Sequence, residues 1–150
     1  MENRRKILPP AYLLMTLVFV FLVHLYFPMH QYIFPPLVYA GIVPVILGIS
    51  IAASSSRAFK QAETSLVPFD EATMLVTSGF YRFTRNPMYL GMLSVLLGCA
   101  VTVGSTCALA VPVLFGIIIE LRFIRPEEAM LRELFPEDFA AYCERVRRWL

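Results

Sequence analysis

Two short stretches hold most of the side chains able to do chemistry. The first is Gly79-Phe80-Tyr81-Arg82-Phe83-Thr84-Arg85-Asn86-Pro87-Met88-Tyr89-Leu90-Gly91, which places guanidinium, amide and phenol groups within a few turns of one another. The second is Glu120-Leu121-Arg122-Phe123-Ile124-Arg125-Pro126-Glu127-Glu128, in which adjacent carboxylates follow a proline. Arginines of this kind steady anions, and tyrosines or carboxylates accept protons when they lie within hydrogen-bond reach. Pro87 suits the first turn of a helix, where its missing N–H costs nothing, and Gly91 one turn later permits close approach of a ligand or a neighbouring helix. Each stretch also has an ordinary structural account. Arginine and tyrosine beside an apolar helix form an interfacial anchor, and acids after a helix-starting proline complement the helix dipole. Pro136-Glu137-Asp138 repeats that second pattern downstream.

The elements that must carry these residues are set by where charge is absent. All thirteen Lys and Arg residues, and every Asp and Glu, fall in the blocks 2–6, 57–85 and 120–148, leaving uncharged runs at 7–56 and 86–119. An ionised side chain at the centre of a bilayer costs roughly 2.5 kcal/mol or more, so this segregation marks an integral membrane protein. The hydrophobic content of 58% agrees. The first run is too long for one crossing, which takes about 20 residues, and must turn back at Pro28, Pro35 and Pro36. The second turns near Gly104-Ser105-Thr106. The expected fold is all-α and polytopic: one domain over 1–150, with four transmembrane helices in two hairpins at about 11–27, 37–53, 87–103 and 107–121. A loop at 54–86 and a tail at 122–150 complete it.

Arg4, Arg5, Lys6, Arg57, Lys60, Arg82, Arg85, Arg122 and Arg125 then flank one side, so by the positive-inside rule both termini and the central loop face the cytoplasm. That corresponds to the inner membrane of a bacterium or the endoplasmic reticulum of a eukaryote. Met1–Lys6 imitates the start of a signal peptide, but no small-x-small cleavage site follows Leu25-Tyr26-Phe27-Pro28, and the segment reads as a retained first helix. From Pro136, the apolar residues Phe139, Tyr142, Cys143 and Val146 recur at helical steps, so the tail should include an amphipathic helix. It lies on the membrane or over a pocket, with Arg145, Arg147 and Arg148 reaching phosphates or anionic lipid. Cys99, Cys107 and Cys143 lack metal or redox spacing and suit packing. His24 and His30 sit at the far end of the first hairpin, away from the polar clusters. No metal site is expected, and the net charge of +2 does not point to nucleic acid. Gly98 and Gly104 offer small surfaces for helix contact.

The order Gly79-x-Tyr81-x-x-x-Arg85-Asn86-Pro87-x-Tyr89-x-Gly91, then Glu127-Glu128, then Phe135 and Tyr142 ahead of Arg145-Val146-Arg147-Arg148, resembles the isoprenylcysteine carboxyl methyltransferase family and the related phospholipid N-methyltransferases. The resemblance covers roughly 60–148 and rests on two separated motifs with one hairpin between them. It implies S-adenosylmethionine as cofactor, held by the loop, the ends of the last hairpin and the C-terminal helices, with a lipophilic acceptor approaching from the bilayer. By position, Thr73, Met74, Leu75, Val76 and Tyr81 would line the cofactor pocket. Asn86, Pro87, Met88 and Tyr89 would form the family's binding tetrapeptide, with Gly91 matching, and Glu127 and Glu128 would face the cofactor. Arg85, Tyr89 and Arg122 are the residues expected to act on the reacting groups. Asn86 replaces the histidine usual in the isoprenylcysteine enzymes. An amide does not titrate near neutral pH, so no imidazole acid or base operates there. Pro136 replaces a common glycine.

Methyl transfer from a sulfonium needs alignment and exclusion of water. Orienting two bound reactants lowers a barrier by about 7–11 kcal/mol. A carboxylate or thiolate acceptor requires no base, whereas an amine or thiol must lose a proton, for which Tyr81, Tyr89 and the glutamates are candidates. The acceptor itself is left open among carboxylate, thiol and amine. Two other readings stand beside this one: a nicotinamide-dependent membrane reductase of related architecture, and a non-catalytic membrane adaptor. A transporter would require an ionisable group deep within a span, and none is present.

Overall fold

The computed structural model describes residues 8–27, 35–61 and 74–150, which are mainly helical. The expected proline turn at Pro28, His30 and the candidate pocket residue Thr73 lie outside the described residues. Helix α1 spans Pro9–Tyr26, α2 spans Ile42–Gln61 after a 3-10 turn at Leu37–Gly41, α3 spans Pro87–Val103 and α4 spans Thr106–Ile119. A π-helical turn, Glu120–Ile124, joins α4 to α5 (Arg125–Leu134), and α6 (Pro136–Arg145) follows. Three helical segments are long and apolar enough to cross a membrane, Pro9–Tyr26, Leu37–Gln61 and Thr106–Leu134, while the apolar α3 is shorter at 17 residues.

Two boundaries differ from the sequence expectation. The second helix does not stop at 53 but runs to Gln61, carrying Arg57 and Lys60 on its last turns. The reason is local: Ser54-Ser55-Ser56 looks like a break, yet Ser55 returns its hydroxyl to the Ile51 carbonyl at 2.7 Å and the helix continues. The fourth helix does not end at 121, because the π turn carries it without interruption into α5. Pro126 sits in the first turn of α5, where a proline is tolerated.

Helix α3 lies at the centre. Against α2 it uses glycine on glycine: a Cβ on Gly41 would meet the Gly98 carbonyl, and one on Gly48 would meet the Gly91 carbonyl. The seven-residue separation within each helix keeps both pairs on a single seam, and with no side chain between them the backbones approach closely. Ser94 extends the seam by donating to the Pro44 carbonyl at 2.8 Å. Gly98 is therefore spent inside the chain. Gly104, which is buried, closes α3 with a left-handed φ of 76°, which glycine adopts without steric cost.

The other face of α3 contributes Met92, Leu96 and Ala100 to a core shared with Val20 of α1, Val111, Phe115 and Ile119 of α4, and Phe123 and Ile124 of the π turn. Outward faces of α1 and α2 are apolar, with Leu14, Met15, Val18, Val43, Ile46 and Ile49 exposed, as contact with lipid requires. A smaller cluster of Phe139, Tyr142 and Val146, with Leu75, Leu131 and Phe135 against it, holds α6 to α5 and to the segment before α3.

Candidate functional site

The turn before α3 and the end of the chain are fastened together. Arg85 N–H donates to the Arg147 carbonyl at 2.9 Å. The Arg148 carbonyl accepts from Thr84 Oγ1 at 3.1 Å and from Asn86 Nδ2 at 3.0 Å. Thr84 Oγ1 in turn accepts from the Asn86 N–H at 3.2 Å. Asn86 is the residue before α3, but its side chain does not cap the helix and serves the tail instead. Tyr142 adds a further tie, donating its hydroxyl to the Tyr81 carbonyl at 2.6 Å. Beneath these contacts lies an ionic core. Arg85 gives Nε and Nη2 to Glu128 Oε1 at 3.1 and 2.9 Å, and Nη1 to the Val146 carbonyl at 2.6 Å. Arg148 gives Nη2 to Glu128 Oε2 at 2.7 Å and Nη1 to Glu120 Oε1 at 3.2 Å. Glu120 also accepts from Arg125 Nη2 at 2.9 Å and from Trp149 Nε1 at 3.3 Å.

The neighbouring glutamate is treated differently. Successive residues of a helix point about 100° apart, so Glu127 faces away from the arginines. It accepts the Tyr89 hydroxyl at Oε1, 2.9 Å away, and its other oxygen accepts nothing from the described residues. The Tyr89 ring lies 6.3 Å from that of Phe123, which meets Tyr12 of α1 edge-on at 5.3 Å. Tyr81 is closed in by Phe59 of α2, ring centroids 5.5 Å apart.

Electrostatics separate the two carboxylates further. Burial pushes Glu127 up to about 7, against the opposing Tyr89 hydrogen bond. Burial also acts to raise Glu128, but the hydrogen bonds from Arg148 and Arg85 outweigh it and hold its carboxyl below the usual range. Glu128 is thus a fixed counter-ion, whereas Glu127 is a carboxyl poised near neutrality. Tyr81 is raised, first by burial and then by the charges of Tyr142 and Glu127, which places its phenol in the same electrostatic group.

Among the residues expected from sequence, the structure brings together Tyr81, Arg85, Asn86, Pro87, Tyr89, Glu127 and Glu128. Val76 is buried beside Leu75, Met88 is half-buried, and Met74 is exposed. Gly91 is buried with α2 as its close neighbour. Arg122 is exposed on the π turn, away from the ionic core. Arg85 is held by Glu128 and by the Val146 carbonyl of the tail. Arg148 does not reach outward to phosphate or lipid but pairs with Glu120 and Glu128. Thr84, Glu120, Arg148 and Trp149 were missed as site members. Glu120 did carry a signal, being an acid at the very end of an uncharged run, which calls for a basic partner. Among the described residues no group of His, Cys, Asp and Glu is arranged to hold a metal ion.

Comparison with known proteins bears on this geometry. A 63-residue uncharacterized protein of Haemophilus influenzae is 33% identical over its whole length, which matches 42% of this chain. The eukaryotic intramembrane Ras methyltransferase, isoprenylcysteine carboxyl methyltransferase, has a similar fold, with a TM-score of 0.66 at 22% identity. That likeness covers 97% of this chain, which spans about half (52%) of the larger protein. The model of the phospholipid methyltransferase family matches residues 37–138, a stretch running from the start of the glycine seam through both glutamates into α6. With the fold of a membrane methyltransferase and a family match over most of its length, the chain belongs to the phospholipid methyltransferase family.

Proposed function

We propose that the protein is an S-adenosylmethionine-dependent methyltransferase that transfers a methyl group to a lipophilic acceptor at the membrane face where Tyr89 and Glu127 meet. The observation that carries this reading is the Tyr89–Glu127 hydrogen bond, 2.9 Å, which joins the two sequence motifs across 38 residues at the end of the bundle. The residues fit the cofactor. Glu127 keeps one carboxylate oxygen for an ammonium or a ribose hydroxyl, and the aromatic rings of Tyr89 and Phe123 suit a sulfonium cation. Leu75, Val76 and Tyr81 offer apolar wall and backbone groups for the adenosine.

When bound, the cofactor supplies the methyl group as the electrophile of an in-line displacement. The chain's own residues align the acceptor, exclude water and, where the acceptor is an amine, receive a proton. Glu127 suits the last task because its carboxyl changes charge near neutral pH and Tyr89 holds it in place. Tyr89 is the residue that touches the reacting groups, Arg85 and Glu128 position the α5 turn, and Arg122 on the exposed π turn is available to steady an anionic acceptor. Four spans are assigned, with α3 crossing inside the bundle. Both termini face the cytoplasm, consistent with the basic residues that flank one end.

The test is calorimetric titration of the protein in nanodiscs with S-adenosylmethionine and, separately, with NADPH. The expected result is saturable binding of the methyl donor, weakened about tenfold by Glu127→Gln, with no fall in thermal midpoint, and by Tyr89→Phe in protein that remains folded. Binding of NADPH alone, or equal donor affinity in all three proteins, refutes the reading.

A further inference from the structure

The turn that joins α4 to α5 winds differently from the helices on either side. Arg125 N–H donates to the Glu120 carbonyl, five residues back rather than four, which is the hydrogen bond of a π-helix. The same two residues meet again through their side chains, Arg125 Nε and Nη2 reaching Glu120 Oε1 at 3.1 and 2.9 Å. On an α-helix, residues five apart point about 140° from one another and do not face, so only the wider winding brings this pair to one side. Glu120 is held from the tail as well. It accepts Arg148 Nη1 at 3.2 Å on the same oxygen and Trp149 Nε1 at 3.3 Å on the other. Pro126 opposes the alternative winding, because it has no N–H to give the Arg122 carbonyl that an α-helix would present, and its ring would strike that oxygen.

A π turn takes up one residue more than the α-helical turn it replaces, and so rotates everything after it by one residue's step, about 100°. With that rotation in place Glu127 accepts the Tyr89 hydroxyl at 2.9 Å, and Glu128 receives the guanidinium groups of Arg85 and Arg148. Were 120–124 wound as an α-helix, each later residue would take the direction its successor has now. Glu127 would turn to Arg85 and Arg148, and Pro126 to Tyr89, leaving the phenol without its carboxylate. We infer, resting on the reading of Tyr89 and Glu127 as the place of methyl transfer, that Glu120 is a positioning residue for that site: by holding the π turn from within and from the tail, it fixes the helical phase at which Glu127 faces Tyr89. The bonds of the Glu120 side chain go to Arg125, Arg148 and Trp149, so it acts on Glu127 through the backbone between them.

Full-length protein in nanodiscs is followed by two readouts. One is the infrared C=O stretch of a protonated carboxyl at about pH 6, assigned to Glu127 by its loss in Glu127→Gln; the other is calorimetric affinity for S-adenosylmethionine. Glu127 holds its proton at that pH because burial pushes it up to about 7, with the Tyr89 hydroxyl on it and the Tyr81 phenol in its field. Glu120→Gln combined with Pro126→Ala loosens the π turn and lifts the bar to α winding. The band should vanish and donor binding weaken about tenfold. Deleting the exposed Leu121 from that double variant removes the extra residue itself, so an α-helical turn again points Glu127 at Tyr89, and both signals should return. The same deletion in the otherwise native chain should keep both. In the double variant the glutamates should also exchange roles, Glu127→Gln lowering the thermal midpoint and Glu128→Gln leaving it unchanged. A band retained in the double variant, midpoints that do not exchange, or a band lost from folded protein on deletion of Leu121 alone overturns the inference. If the band is lost and restored as expected but the native chain binds no donor, the methyl-transfer reading fails and the phase assignment stands; if the native chain binds the donor and the double variant keeps the band, the phase assignment alone fails.

Discussion

Glu127 and Glu128 are adjacent and chemically identical, yet the structure assigns them opposite tasks, and Glu128→Gln exposes the difference. Glu128 is 5% exposed and accepts four nitrogens of two arginines, Arg85 Nε and Nη2 and Arg148 Nε and Nη2, at 2.7 to 3.2 Å. A glutamine retains one acceptor oxygen. Its amide would direct N–H donors at the second guanidinium, leaving that cation beside another donor. Removing one member of a buried ion pair costs about 3–5 kcal/mol. Since the Arg148 side chain is 35% exposed and can recover water while that of Arg85 is only 12% exposed, the lower end applies, ~3 kcal/mol. At about 2–4 °C per kcal/mol for a chain of this size, the thermal midpoint should fall by roughly 6–12 °C. Thermal unfolding in detergent at pH 8, where Glu127 is ionised in the folded chain, is the assay. Glu127→Gln under the same conditions should leave the midpoint unchanged or raise it, because it removes a partly desolvated charge. The reverse order, with Glu127→Gln the damaging change and Glu128→Gln neutral, would refute the division of labour between the two carboxylates.

The remaining predictions use the same measurement. Gly91→Ala places a Cβ 2.6 Å from the Gly48 carbonyl oxygen and 3.1 Å from Ala52 N, and should cost ~1–3 kcal/mol. Gly116→Ala meets only Leu93 methyls at 3.7 and 3.9 Å and should be neutral or stabilising by up to about 1 kcal/mol; equal effects would show that the glycine seam does not set the α2–α3 approach. Glu127 retains its proton in the folded chain up to about 7 but releases it near the ordinary 4.5 when unfolded. Between those values the folded chain binds more protons, so stability is fullest below 4.5 and declines as pH rises to about 7, by ~3 kcal/mol at most. Glu127→Gln should flatten that decline, and an unaltered slope would assign it to other groups. Thr84→Val removes a donor to the Arg148 carbonyl and the acceptor of the Asn86 N–H, and should lower stability by ~1–3 kcal/mol; a midpoint within 1 °C of wild type would refute the latch between turn and tail.

The apolar helices were legible because membrane burial is written in one letter code: charge is excluded, and the uncharged runs 7–56 and 86–119 contain α1 to α4 except the last turns of α2. Pro87 and Gly104 mark the ends of α3, since a proline opens a helix and a left-handed glycine closes one. The continuation of α2 past Ser54-Ser55-Ser56 was not legible, because serine hydroxyls bond back to the helix as readily as they break it. That the two motifs lie near one another followed from their order and the hairpin between them, but the hydrogen bond of Tyr89 to Glu127 did not. The capture of Arg148 did not, because a run of arginines at a tail looks the same whether it meets lipid or a buried carboxylate. Nor does sequence distinguish Glu127 from Glu128, since helical phase relative to Arg85 decides which one receives the guanidinium groups, and that phase depends on the π turn. Asn86 shows the same limit: as the residue before a helix it invites a capping role, and only the tail's position reveals its partner.

Glu127 and Glu128 stand on the same continuous rod that crosses the bilayer, Thr106–Leu134, whereas Tyr89 and Arg85 stand at the head of a separate, shorter helix. The apolar part of that rod, Thr106–Ile119, is 14 residues and ~21 Å long, and the 17-residue α3 is ~25 Å, so both stretches fall short of the ~30 Å hydrocarbon layer. Thinning of the layer and snorkelling of flanking arginines are the usual responses to such a shortfall, and they draw the lipid surface toward the end of the bundle where phenol and carboxylate meet at 2.9 Å.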